Sequence, residues 1–151
     1  MKYIDMFDDM NKNAYFYAKN CCMLKLFKNY LDSNNISIKD EKKITISFEY
    51  SNLNYLFVFD ESDPFYFRLI LPNIMLVQEE QIQEVYHTVN FVNVNYKVAK
   101  VAIYDNNVWI SIESFVYSKE NIDGLFKRSM ELLKTINVDF KEQIKNHKYG
   151  K

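Results

Sequence analysis

Hydrophobic and polar positions change period along the chain, and each change marks an element. From residue 6 to 32, Met6, Met10, Ala14, Tyr17, Cys21, Leu24 and Leu31 recur at helical spacing, which predicts one long first helix. Phe16, Met23, Phe27 and Tyr30 add a second stripe. So wide an apolar face needs cover on two sides, and a second subunit or one deep core supplies it equally well. Asp8 and Asp9 suit the helix start, and Ser33-Asn34-Asn35 ends it. Period two then takes over. Residues 44–50 alternate, with Thr45, Ser47 and Glu49 turned to water. Residues 53–60 put Tyr55, Phe57 and Phe59 on one side and Leu56 and Val58 on the other, the pattern of a central strand covered twice. Residues 65–71 set Phe65, Phe67, Leu69 and Leu71 against Tyr66, Arg68 and Ile70. Ser51-Asn52 and Glu61-Ser62-Asp63-Pro64 supply the turns, and Pro72, lacking an N–H, is expected to close the third strand.

The helical period returns at residue 78 and runs to about residue 93, with Ile82, Val85, Tyr86, Val89 and Val92 on one face and Glu79, Glu80 and Gln81 in the first turn. Residues 91–96 fit either a helix end or an early strand. Residues 97–117 read as a hairpin. Ala99, Val101 and Ile103 alternate with Lys100, Ala102 and Tyr104, and Val108, Ile110 and Ile112 with Trp109, Ser111 and Glu113. Asp105-Asn106-Asn107 is its turn, because Asn and Asp tolerate positive φ. Ser118 then caps a last helix with Glu120 in its first turn. Ile122, Leu125, Phe126, Ser129, Leu133 and Ile136 form its inner face, and Lys141, Lys145 and Lys148 suit its end. Asn137-Val138-Asp139 is a point where that helix can pause. The predicted order is α-β-β-β-α-β-β-α: one α+β domain over residues 1–151, with a five-stranded antiparallel sheet and helices packed on it.

Composition narrows the function classes. The 151 residues fit one domain, and a net charge of -1 gives no general attraction to nucleic acid or anionic membrane. Cys21 and Cys22 are adjacent and cannot staple distant elements, so they are expected to be cytosolic thiols. The opening residues MKYIDMFDDM carry acids and no apolar core, so no signal peptide is expected. No apolar run approaches the ~20 residues that a membrane helix needs, and the cytoplasm is the expected location. Phe and Tyr number 12 each. A binding surface and A/T-rich codons both account for that richness. With only Gly124 and Gly150, there is no glycine-rich loop to cradle a phosphate.

The element order, together with VNFVNVNYKVAKVAIYDNNVWISIES (residues 89–114), resembles the YbjN family, small bacterial proteins with the fold of type III secretion chaperones. The shared pattern is a helix ending in an Asn-bearing stretch, here Val89-Asn90-Phe91-Val92-Asn93, followed by a hairpin and a Ser-led last helix. The chain departs from that pattern in its hairpin turn, which has Asn106-Asn107 where glycine is common. The resemblance implies an antiparallel sheet under helices, a homodimer, and a role in holding other proteins or peptides.

Side chains able to do chemistry are scattered. Cys21 or Cys22 with His87 is the only Cys–His candidate, and both the helical stripe and the helix edge explain these residues without catalysis. Two cysteines, His87 and His147 lack the spacing of a zinc site. The carboxylates cluster as Asp8-Asp9, Glu79-Glu80 and Asp60-Glu61-Asp63. The first two suit helix starts; the third suits a turn and lacks the spacing and glycine of a calcium loop. No enzyme, cofactor or metal is expected.

One feature stands above this background. Tyr55, Phe57, Phe59, Tyr66, Ile70, Tyr104 and Trp109 are expected to share the sheet face turned away from the helices. A patch of that kind marks an interface or a groove, unless the long first helix or the chain's own tail covers it. The expected function is a non-catalytic, chaperone-like module or regulatory adaptor that binds a protein or peptide as a homodimer. The alternatives are a small-ligand binder, with Arg68, Glu113 and His87 as converging polar groups, and a dedicated inhibitor or immunity protein.

Overall fold

Asn35 stops the first helix by taking the left-handed conformation, with φ 55°. The amides of Ile36 and Asn35 then donate back to the carbonyls of Leu31 and Asp32, at 2.9 and 3.2 Å, which satisfies groups that a helix end leaves open. The computed structural model describes residues 23–116 and 120–149. Helix α1 (Met23–Ser33) leads into strand β1 (Ile38–Lys42), which hydrogen-bonds to β2 (Thr45–Tyr50). Strands β3 (Leu53–Asp60) and β4 (Asp63–Leu76) follow. A short 3-10 turn (Glu79–Gln81) opens helix α2 (Ile82–Asn95). The hairpin β5 (Ala99–Tyr104) and β6 (Asn107–Phe115) then precedes helix α3 (Ile122–Tyr149). The sheet order is β1-β2-β3-β4-β6-β5, with every neighbouring pair antiparallel. Two hairpins close on paired left-handed residues, Ser51-Asn52 and Asp105-Asn106. Positive φ at both positions matches the twist of the strands they join.

The α+β class and the antiparallel sheet are as the sequence predicts, but the sheet has six strands, not five. β1 reads as a charged connector, because Lys39, Asp40, Glu41 and Lys42 follow Ile38 directly and the apolar alternation fades. Pro72 does not close its strand. It lies inside β4 where the register to β6 shifts between Leu71 and Met75, and a bulge leaves a residue that needs no ladder N–H. The ambiguous stretch after residue 91 is helical to Asn95. α3 begins at Ile122, so Glu120 precedes it and Asp123 is the acid of its first turn. It runs unbroken through Asn137-Val138-Asp139, because Phe140 and Ile144 keep the buried stripe in phase. The part of the first helix before Met23, and Ser118, lie outside the described residues.

Among the described residues, α1, α2 and α3 all cover the same face of the sheet. Phe27 of α1 stacks on Phe57 of β3, with ring centroids 3.8 Å apart and planes 5° from parallel. Phe126 of α3 meets both rings edge-on, at 4.9 and 5.9 Å. Phe48 and Phe67 complete this aromatic centre, and Phe27, Phe48, Phe57, Phe67 and Phe126 are all without solvent exposure. Around it lie Ile46, Leu69, Ile110 and Ile112 from the sheet, Val85 and Val92 from α2, and Met130, Leu133, Ile136 and Phe140 from α3. Two tyrosines pin α3 to the far strands: Tyr50 donates to Glu131 at 2.8 Å, and Tyr55 to the carbonyl of Met130 at 3.4 Å.

α2 is tied to the sheet's edge by Asn93. Its amide nitrogen donates to the carbonyl of Val101 at 3.0 Å, and its amide oxygen accepts from the Val101 N–H at 2.7 Å. The side chain stands where another strand's backbone would pair. This gives a physical role to the asparagine that ends the α2 stretch.

Candidate functional site

The face of the sheet away from the helices carries no helix among the described residues. Parity decides what it holds. Leu56 pairs with Ile70, Ile70 with Ser111 and Ser111 with Lys100, while one step along, Phe57 pairs with Leu69, Leu69 with Ile112 and Ile112 with Ala99. The second row is core, so the first faces out. Tyr66, Ile70, Tyr104 and Trp109 therefore lie on the outward side of the sheet, where Tyr104 is exposed, Tyr66 and Trp109 are half-buried and Ile70 is buried, at 5% exposure. Tyr55, Phe57 and Phe59 do not lie there. They pair in register with core positions and are buried under the helices, at 0%, 0% and 8% exposure. Leu56 and Val58 take the outward places on β3 and are half-buried, so among the described residues helices cover this strand on one side only.

The open face combines apolar side chains with a fixed charged row. Ile70 sits near its centre, flanked across the strands by Leu56 and Ser111, and both Ile70 and Ser111 are buried, at 5% and 2% exposure. Trp109 donates its indole N–H to the Asn73 side-chain oxygen at 3.0 Å and stands edge-on to Tyr104, with centroids 5.2 Å apart. Asn73 adopts φ 52° just after Pro72, so the bulge that interrupts β4 also fixes the indole. Tyr66 leans on Phe115 at 5.9 Å. Beside them runs the charged row. Glu113 accepts from Lys100 at 2.5 Å and pairs with the Arg68 Nε at 3.4 Å, while the Arg68 Nη2 donates to Ser111 at 3.2 Å. Loss of water, and then the nearby Glu113 carboxylate, raise the Tyr66 hydroxyl above its usual pKa, which keeps it a neutral donor.

The other candidate groups lie elsewhere. His87 is exposed on α2, on the helix side of the sheet, so it does not converge with Arg68 and Glu113. Asp60 accepts from the hydroxyl and the N–H of Ser62, at 2.6 and 2.8 Å, and these bonds hold its carboxyl below the usual range. That acid therefore serves its turn. Glu79 and Glu80 lie in the turn that opens α2. Among the described residues, no group of three His, Cys, Asp or Glu side chains is placed to hold a metal ion. No helix of these residues is long and apolar enough to cross a membrane. Asp8, Asp9, Cys21, Cys22 and the side chain of His147 lie outside the described residues.

No protein-family model matches the chain, and no curated protein sequence matches it. Solved structures do share its fold. YbjN from E. coli, presented in its crystal structure as a candidate transcription regulator, superposes with a TM-score of 0.61 at 11% identity, covering 79% of this chain and 91% of its own. An uncharacterized protein from Methanothermobacter thermautotrophicus gives a TM-score of 0.61 at 11% identity, covering 82% of this chain and 96% of its own. The chain has a YbjN-like fold.

Proposed function

We propose that this protein is a non-catalytic binding module of the cytoplasm that holds a protein or peptide segment against the open face of its sheet. The observation that supports this most strongly is the make-up of that face. Trp109, Tyr104 and Tyr66 lie with Leu56 and Val58 on one surface, and the Arg68–Glu113–Lys100 row crosses it. Aromatic anchors beside pre-paired charges are what interfaces use for affinity and for register. The module acts as a homodimer, with the outer side of α2 as its seam, where Phe91 and Val94 are 41% and 74% exposed.

A displayed peptide library selected on the wild-type protein, followed by titration of the enriched peptides, tests the client site. Trp109→Ala together with Tyr104→Ala is expected to weaken those peptides by at least roughly tenfold, the loss typical of interface anchors. Unchanged affinity in folded variants would remove the open face from the function. Sedimentation of Val94→Lys tests the seam: a monomer is expected where the wild type is a dimer, and equal masses would discard it.

A further inference from the structure

A second recess lies away from the open face, between α3, the β6 strand and the loop that enters β5. It is a half-open cavity of about 540 Å³, within the size range of small-ligand sites. Among the described residues its apolar walls are Val98, Ile112, Leu125 and Leu132, and Lys97 and Arg128 stand at its rim. Both cations are exposed, and neither has a carboxylate within ion-pairing distance among the described residues. Glu113 also borders the cavity, but its carboxylate is held by Lys100 and Arg68.

Val98 singles this recess out. It adopts φ 59°, whereas the other described residues in that conformation are Asn35, Ser51, Asn52, Asn73, Asp105, Asn106 and Asn121. Those short polar residues tolerate the left-handed region; a β-branched side chain does not, because its Cβ crowds the following carbonyl. Val98 is nevertheless 65% exposed, so water gains nothing from its apolar surface. A strained apolar residue set at the mouth of a cavity, beside two cations that have no ion pair among the described residues, matches the way ligand clamps store strain.

We infer that this cavity binds a small organic anion, a carboxylate on an unbranched apolar body, with Lys97 and Arg128 holding the carboxylate and Val98, Leu125 and Leu132 taking the chain. Such a ligand covers the surface that Val98 exposes and neutralises the rim. A cationic amphiphile of equal length satisfies the walls but is repelled by the rim. The site shares only Glu113 with the client face, and neither its cations nor its apolar walls belong to that face, so its failure leaves the proposed function standing.

The test uses sodium decanoate below its micelle concentration and decylammonium as its charge-reversed counterpart, with amide chemical shifts followed by NMR. Decanoate is expected to saturate, with shifts centred on residues 95–98, 112–114 and 125–132, and decylammonium to give no saturable shifts there. The double charge reversal Lys97→Glu with Arg128→Glu, at two exposed positions, is expected to weaken decanoate roughly tenfold. Val98→Asn is expected to weaken decanoate while raising the thermal midpoint, a trade that a merely structural valine would not show. The inference is overturned if decanoate does not saturate at these residues. It is also overturned if decylammonium binds equally well, if the charge reversal leaves the affinity unchanged, or if only a peptide with a C-terminal carboxylate occupies the cavity.

Discussion

Replacing Phe57 by Ala tests the sheet parity on which the site rests. In the fold this ring is fully buried, stacked on Phe27, edge-on to Phe126, and 5.6 Å from Phe67. Truncating a buried phenylalanine costs about 3–5 kcal/mol, and three aromatic neighbours at once place Phe57 toward the upper end. Domains have about 5–15 kcal/mol in all, so the variant gives up a third or more of its stability. Tyr104→Ala is the matched control. Its side chain is 66% exposed on the open face, and exposed substitutions stay within about 0.5 kcal/mol. Urea unfolding followed by far-ultraviolet circular dichroism separates the two. With a slope of about 2 kcal/mol per molar urea, Phe57→Ala moves the midpoint down by about 2 M and Tyr104→Ala by less than about 0.3 M. If Phe57→Ala shifts the midpoint no more than Tyr104→Ala does, β3 presents its other side to the helices. The client face would then have to be redrawn around Tyr55, Phe57 and Phe59.

Further expectations follow from single contacts. Asn93→Ala strips both partners from the outward groups of Val101 and is expected to cost about 1–3 kcal/mol; hydrogen exchange at the Val101 amide should accelerate more than at Lys100, and equal protection in the variant would refute the strand-mimic role. The Tyr96 hydroxyl bonds Asp139, and that bond, with burial second, lifts its pKa from 10.0 to about 12. A pKa raised by folding gives stability that is whole below pH 10 and drains away between pH 10 and 12. Urea midpoints should therefore fall through that window, and Tyr96→Phe should flatten the fall; an unchanged slope would deny the bond its role. Val98→Asn replaces a β-branched residue at φ 59° by one that tolerates it, and is expected to stabilise the fold by about 1 kcal/mol in thermal unfolding. A loss of stability would show that the valine is not strained.

Much of the fold was legible because period and turn chemistry are local. Asn34-Asn35, Ser51-Asn52 and Asp105-Asn106 announce their turns by residue type, and the structure uses Asn35, Ser51, Asn52, Asp105 and Asn106 at positive φ. β1 was not legible, since four charged residues on an edge strand look like a loop, and what makes them a strand is pairing with β2 at a distance in sequence. Pro72 misled for a similar reason: a bulge is a property of two strands, not of one. The candidate site was half legible. Period two divides Tyr55, Phe57 and Phe59 from Leu56 and Val58, but does not say which set is buried. A signal did exist in the hairpin. With Ser51-Asn52 as a two-residue turn, Phe48 must oppose Tyr55. Because Ser47 and Glu49 are polar, Phe48 faces the core and takes Tyr55, and hence Phe57 and Phe59, with it.

A sheet of this kind meets another chain through an edge or through a face, and here both edges are guarded. β1 presents Lys39, Asp40, Glu41 and Lys42, exposed and laced by ion pairs from Lys28 to Glu41 and from Lys39 to Glu49. Charge on an edge strand discourages backbone pairing with a second chain. β5 has its middle residue, Val101, already bonded on the outward side by Asn93. The open face is left, and its charges are arranged to tolerate being covered. Burying a lone Arg or Glu costs several kcal/mol, but Glu113 keeps two cations and Arg68 keeps both a carboxylate and a hydroxyl when water leaves. Under the proposed function, a partner has to bring chiefly apolar surface for Trp109, Tyr104 and Leu56, with an acceptor for the neutral Tyr66 hydroxyl. The charged row then sets the orientation without demanding counter-charges of its own.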